Sequence, residues 1–506
     1  MKKLLVMALA IIISGCTNVQ KTAFEKHQKL FTDKSYSRLA SGVTANDIAQ
    51  IEDTLLRAAA QKMLAGEYQS EYRTQEYSAY PTPAALSRDC KLGDGFSRYE
   101  NMTGIYLPAG EHIICMEGVG RTPIFLMCPE LMRQPTPGYK PMEDPQGWGL
   151  KCEGYLLSEG VNVVRVEKDA NAYIYYFDDE PQSAPAVKVH FLTGKVNGYF
   201  DITRGDTNED WDKLLAKAVS PIMDARGKHI QVAYAVDFFK KFTTGKGVEL
   251  MEAYDAMLNS HYTLMGLVKY NKIPDNRIFA RVNFNYYMFR DGDGVAYLGD
   301  DNTMYMVASP EVVTVGDPCW GFSHEVGHVL QMNPTTWGGM TEVSNNIFSL
   351  YTCRAMGAST SRLHEQNNYE SARKSIIEGK ISYLQDPDVF NRLVPFWQLQ
   401  LYFEQNGQPD FYADLMEELR NTAKEYTGNE TINYQLDFTK AACDVTKVDL
   451  TDFFDKWGFF RVGNIKLEDY ASYDFDITQQ MVDQTKSYIA SKNYPKPKAD
   501  ITLIND

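Results

Sequence analysis

The feature that most restricts the fold is a change of hydrophobic period part-way along the chain. Between about Tyr99 and Phe200 the sequence falls into short apolar runs divided by glycine and proline, such as TGIYLPAGEHIICMEGVG, VNVVRVEKDANAYIYYF and AVKVHFLTGKV. In the last of these, Val187, Val189 and Phe191 alternate with Lys188 and His190, the period of a β-strand with one wet face. Short strands so divided predict a β-sandwich over residues 96–200. Beyond Asp201 the pattern is mixed. HIQVAYAV reads as a strand, whereas Leu250, Met251, Tyr254, Met257, Leu258 and Leu264 mark an amphipathic helix. The remainder has mostly helical spacing, and no repeat of fixed period is evident. At 506 residues the chain is long enough for two or three domains. The expected class is α+β and multidomain, a β-sandwich ahead of a mostly helical domain over residues 201–506.

The chain opens with Lys2 and Lys3, the apolar run LLVMALAIII, and then Ser14, Gly15 and Cys16. That run is too short to span a bilayer and follows the order of a secretory signal. Residues Ile13 to Cys16 resemble a bacterial lipobox, which implies removal of residues 1–15, acylation of Cys16, export, and a lipid anchor in an outer membrane or cell surface. Residues 16–95 read as a tether and a small helical segment. There Ile48, Ile51, Leu55 and Leu56 have helical spacing, and Thr44 or Asn46 is placed to cap the helix.

A formal net charge of −15, with no block of lysine or arginine, excludes a nucleic-acid partner, whose phosphates would be repelled. Seven cysteines follow Cys16, an odd number without CxxC spacing, so neither a cysteine zinc site nor a dense disulfide scaffold is expected.

The chemistry concentrates in GFSHEVGHVLQMNPTTWGGMTEVSNN, from Gly321 to Asn346. A helix turns about 100° per residue, so His324 and His328 lie one turn apart on one face and can grip a single ion. Glu325 is rotated off the ligand axis and is placed to reach a water on that ion. Zinc suits two imidazoles and a carboxylate, with the fourth position left for water. Glu342 is the best third ligand, because the paired glycines of TTWGGM carry the chain out of the first helix and Thr341 opens a second. Asn346, one turn on, is placed to hydrogen-bond the free ring nitrogen of a ligand histidine or to steady Glu342. Gly327 costs a helix about 1 kcal/mol relative to Ala, which a close-packed neighbour would explain.

HEVGHVLQ, WGGMTEVSNNIFSLY, LVPFWQLQLYF (Leu393 to Phe403) and DLTDFFDKWGFF (Asp449 to Phe460) together resemble the enhancin-like zinc metallopeptidases. This group of gluzincins includes mucin-cleaving enzymes. The resemblance covers roughly residues 200–460, and TGIYLPAGEHI resembles the β-sandwich that precedes the catalytic domain in that family. It implies a thermolysin-like catalytic domain, zinc on His324, His328 and Glu342, and Glu325 as general base. It also implies peptide-bond hydrolysis in O-glycosylated, mucin-like glycoproteins. The competing expectation is a surface glycan-binding lipoprotein with a non-catalytic metal site. The intact pairing of Glu325 with both histidines speaks against it.

Other features have plainer readings. Asp291, Asp293, Asp300 and Asp301 lack the remaining ligands of an EF-hand loop, and Asp-Gly pairs between apolar runs are hairpin turns first. Trp397 and Trp457 sit in apolar runs and are expected in the core. Trp337, in the loop between the ligand helices, is the candidate substrate contact. His27, His112, His190, His229, His261 and His364 show no partner spacing and are expected to be structural or solvated.

Overall fold

The computed structural model describes residues 10–12, 18–92, 95–140 and 143–506; Cys16 and the lipobox lie outside the described residues. The described residues form two compact units. Among the described residues, those up to 85 and those within 95–252 and 275–310 belong to the first, and those within 86–92, 253–274 and 311–506 to the second.

In the first unit, Thr74–Tyr77, Val187–Phe191, Gly110–Glu117 and Gly160–Val166 form an antiparallel four-stranded sheet. A larger sheet places Cys152–Leu157, Ile124–Pro129, Ala170–Tyr175 and Asn101–Leu107 side by side, also antiparallel. One apolar core joins the two sheets, with Ile105, Leu107, Leu126 and Ile174 from one and Ile114, Val164 and Val189 from the other.

The face of the smaller sheet expected to be wet is covered. His190 is fully buried, its Nδ1 2.7 Å from the Ser35 carbonyl oxygen and its Nε2 2.5 Å from the Tyr68 hydroxyl. The cover is the segment read as a tether: Phe24, Leu30, Phe31 and Ile48 share a second core with Ile113 and Val161. Its apolar residues are too scattered along the sequence to show a period. The single helix expected after Thr44 is two, Ala45–Ala49 and Thr54–Ala65, each started by its own cap, Thr44 and Asp53.

A third sheet of the same unit runs Phe200–Asp201, Ile222–Arg226, Ile230–Ala235, Ile278–Asn283, Gly294–Leu298, Met288–Asp291. Its last two strands are the hairpin expected at the Asp-Gly pairs, with Asp291 opposite Gly294. Three of the acidic residues there have partners within the protein. Asp291 pairs with the buried Arg281, Asp293 lies against Arg98 and Tyr99, and Asp300 caps the helix Asp301–Ala308.

The second unit is mostly helical. Helices α1 (Gly316–Leu330) and α2 (Thr341–Ala355) pack together, joined by other helices and by one hairpin, Gly463–Glu468 paired with Ser472–Ile477. Its core is rich in aromatic rings, with Tyr383, Phe396, Phe438 and Phe459 around Trp337. Trp397 and Trp457 are fully buried, as expected.

Candidate metal centre

Helix α1 ends at Leu330, ahead of the paired glycines, and α2 begins at Thr341 as expected. The two helices approach closely because Gly327 faces the α2 backbone. A Cβ there would lie 2.7 Å from the Asn345 carbonyl oxygen. This is the close-packed neighbour that the helix glycine requires.

That approach brings Glu342 to the two histidines. Its Oε2 lies 3.3 Å from His324 Nε2 and 3.5 Å from His328 Nε2, and one ligand atom from each of the three falls within 4.8 Å of the others. The imidazole rings stand nearly perpendicular, 4.9 Å between centroids. Two imidazole nitrogens and one carboxylate oxygen, part-buried and convergent, fit the donor set and number of a zinc site with an open position.

The ring nitrogens turned away from the site are held by side-chain oxygens. His324 Nδ1 donates to Asn346 Oδ1 at 2.9 Å, and His328 Nδ1 donates to Gln331 Oε1 at 2.9 Å. An amide oxygen only accepts, so both histidines carry a proton on Nδ1; a neutral ring then presents the Nε2 lone pair to a metal, whereas a protonated ring donates from Nε2 to Glu342. Gln331 is fixed in turn, its Nε2 donating to Thr341 O and Ser344 Oγ, both at 2.7 Å. Asn346 Nδ2 donates to the Glu342 carbonyl oxygen at 2.8 Å. The fully buried Asn345 places its amide nitrogen 3.0 Å from His328 Nε2 and 3.2 Å from His324 Nε2.

Electrostatics separate the two glutamates. Burial raises the Glu325 carboxyl above its ordinary value, opposed by the neighbouring histidines. Burial also acts on Glu342, but hydrogen bonds from His324 and His328, donated from Nε2 when the rings are protonated, outweigh it and hold that carboxylate well below the usual range. Burial works against protonation of His324, and its bond to Glu342 more than compensates, so its pKa is raised. The same helix pair thus carries one carboxylate held in its ionised form, Glu342, and one whose charge is disfavoured, Glu325.

Trp337 requires a correction. It is 1% exposed, donates from Nε1 to Tyr383 Oη at 2.8 Å and packs on Phe396 and Phe438, so it belongs to the core and not to an exposed loop. The connection between the helices folds inward, because burying an indole with a partner for its N–H outweighs leaving it in a loop. Two further residues lie at the site without having been foreseen. Tyr470, at the tip of the Gly463–Ile477 hairpin, donates to Glu342 Oε1 at 2.6 Å, and its phenol pKa is raised first by that bond and then by burial. Asp469 beside it accepts from Gly339 N, Thr341 N and Thr341 Oγ1.

His324, His328 and Glu342 converge on a candidate metal site, with the buried Glu325 on the same helix as the two histidines. Residues 199–458 match the family described as Peptidase M60, enhancin and enhancin-like. The chain belongs to this family, and it is a metallopeptidase. Similar solved structures share the fold. A metallopeptidase from Bacteroides thetaiotaomicron is 22% identical with a TM-score of 0.82, the match covering 96% of this chain and 81% of that one. A metallopeptidase in complex with Tn antigen is 23% identical, TM-score 0.75, covering 87% and 81%. The catalytic module of the metalloprotease ZmpA from Clostridium perfringens is 18% identical, TM-score 0.64, covering 86% and 81%. No curated protein sequence matches the chain.

Proposed function

We propose that the chain is a zinc-dependent endopeptidase that cuts O-glycosylated polypeptides. The observation that carries this is the convergence of His324, His328 and Glu342 beside Glu325. A zinc ion held there supplies Lewis acidity toward a scissile carbonyl and a water. Glu325 takes the proton of that water as it adds to the carbonyl carbon, then delivers it to the amine nitrogen as the C–N bond breaks. Its raised pKa suits both halves of that task, since a carboxylate disfavoured by burial accepts a proton more readily. Asn346 and Gln331 hold the two imidazoles in the tautomer and orientation that binding requires.

The preference for glycosylated substrate is supported by the fold shared with a metallopeptidase whose structure is a complex with Tn antigen. The two sheets around the Leu126 core support reading residues 96–200 as a β-sandwich, ahead of a thermolysin-like catalytic domain. The N-terminal lysines, apolar run and Cys16 support export with a lipid anchor. No helix of the described residues is long and apolar enough to cross a membrane. The test is mass spectrometry of an O-glycosylated mucin, and of the same mucin stripped of glycans, after incubation with the enzyme. New peptide ends from the glycosylated sample alone support the proposal; ends from both reduce it to a general peptidase, and ends from neither reject it.

A further inference from the structure

The hairpin Gly463–Ile477 is seated on the connection between α1 and α2 by several independent features. Gly338 makes room for it: a Cβ there would lie 2.6 Å from Tyr473 and 2.7 Å from Phe475. Asp469 Oδ2 then takes three hydrogen bonds from Gly339 and Thr341, at the start of the helix that carries Glu342. The next residue, Tyr470, has φ of 55°, a left-handed conformation that a bulky side chain adopts only at a cost. It is also 87% exposed, the most exposed of the large hydrophobic residues described, yet its hydroxyl is fixed at 2.6 Å on Glu342 Oε1. The other oxygen of Glu342, Oε2, is the one that faces both histidines. The Tyr470 O–H therefore stands at the open side of the site, beside the ligand atoms and outside the protein core.

We infer that Tyr470 is a further catalytic residue, resting on Glu342 in the free enzyme and donating its hydrogen bond to the scissile carbonyl oxygen as that oxygen gains negative charge. The inference rests on the peptidase reading above. No bond to Tyr470 forms or breaks. Water adds to the carbonyl carbon, Glu325 carries its proton to the departing nitrogen, and the phenol keeps its own proton throughout. Only a donor aimed at developing charge strengthens in the transition state, so its loss falls on turnover more than on substrate binding. A residue that merely supported Glu342 would have no reason to be exposed, and its loss would fall on metal affinity.

The experiment compares the full-length wild type with Tyr470→Phe in three measurements. They are zinc affinity by chelator competition, kcat and KM on a peptide carrying a single α-GalNAc threonine, and calorimetric binding of a phosphinate analogue of that peptide. Loss of the donor should lower kcat by about 10²- to 10³-fold. It should weaken phosphinate binding by at least about tenfold and leave KM and zinc affinity within about threefold. Unchanged kcat overturns the inference. A fall in zinc affinity whose activity loss is recovered at saturating zinc also overturns it, because Tyr470 would then act only through Glu342. Absence of turnover by the wild type itself rejects the peptidase reading, and this inference with it.

Discussion

Gly327 of α1 and Asn345 of α2 touch backbone to backbone, so closely that a single added methyl would sit 2.7 Å from the Asn345 carbonyl oxygen. No flexible side chain is available to yield, and the helices themselves must part. Gly327→Ala gains about 1 kcal/mol of helix propensity. Overpacking costs about 1–3 kcal/mol and should exceed it. The expected outcome is a net loss of stability in denaturant unfolding together with weaker zinc binding, since the same parting moves Glu342 from His324 and His328. A variant as stable as the wild type would show that the helices are not held at this distance.

Asn346 and Gln331 are expected to act on metal affinity rather than on folding. Each accepts from the Nδ1 of one histidine. Asn346→Ala or Gln331→Ala should weaken zinc binding by about 10- to 100-fold in chelator competition. Glu342→Ala should weaken it further, because it removes the carboxylate proposed as the third ligand. Unchanged affinity in all three would refute the assignment of these residues.

How much of this site could be read from the chain follows from how local each partner is. His324, Glu325 and His328 share one helix and Glu342 opens the next, so short spacings exposed them. Gln331 lies three residues after His328, within the same motif, and that spacing was a usable signal. Asp469 and Tyr470 lie more than a hundred residues further on and reach the site through a hairpin register, which leaves no local trace. Trp337 misled for a related reason: a loop position predicts exposure, but its fate was decided by Tyr383, Phe396 and Phe438, all remote in sequence. Alternation found the strand Val187–Phe191, but what covers His190 comes from Ser35 and Tyr68.

Trp337→Ala should destabilise the protein by about 3–5 kcal/mol, as expected for a buried indole. Trp337→Phe should cost less and leave KM unchanged. Differential scanning calorimetry with steady-state kinetics checks both. A KM effect at preserved stability would return Trp337 to the substrate site.

Stability should also carry a pH signature from the first unit. Asp224 is fully buried, accepts from Tyr173 Oη at 2.5 Å and Asn171 Nδ2 at 2.9 Å, and burial pushes its carboxyl up to about 7. Between its ordinary value of 3.8 and about 7 the folded state holds a proton that the unfolded state has released. Stability from this group therefore falls as pH rises through that window, by about 1.4 kcal/mol per pH unit at most. Asp224→Asn removes the slope, so the variant should gain on the wild type from pH 4 to pH 7 in urea unfolding. A difference that stays constant across the window would contradict the assignment.

The most direct test of the central claim compares Glu325→Gln with the wild type for bound zinc and for cleavage of an O-glycosylated mucin. Glu325 is assigned to the water and Glu342 to the metal, so the variant should keep one zinc per chain while its turnover falls by at least about 10²-fold. Full activity in the variant, or loss of its zinc, would contradict that division of roles.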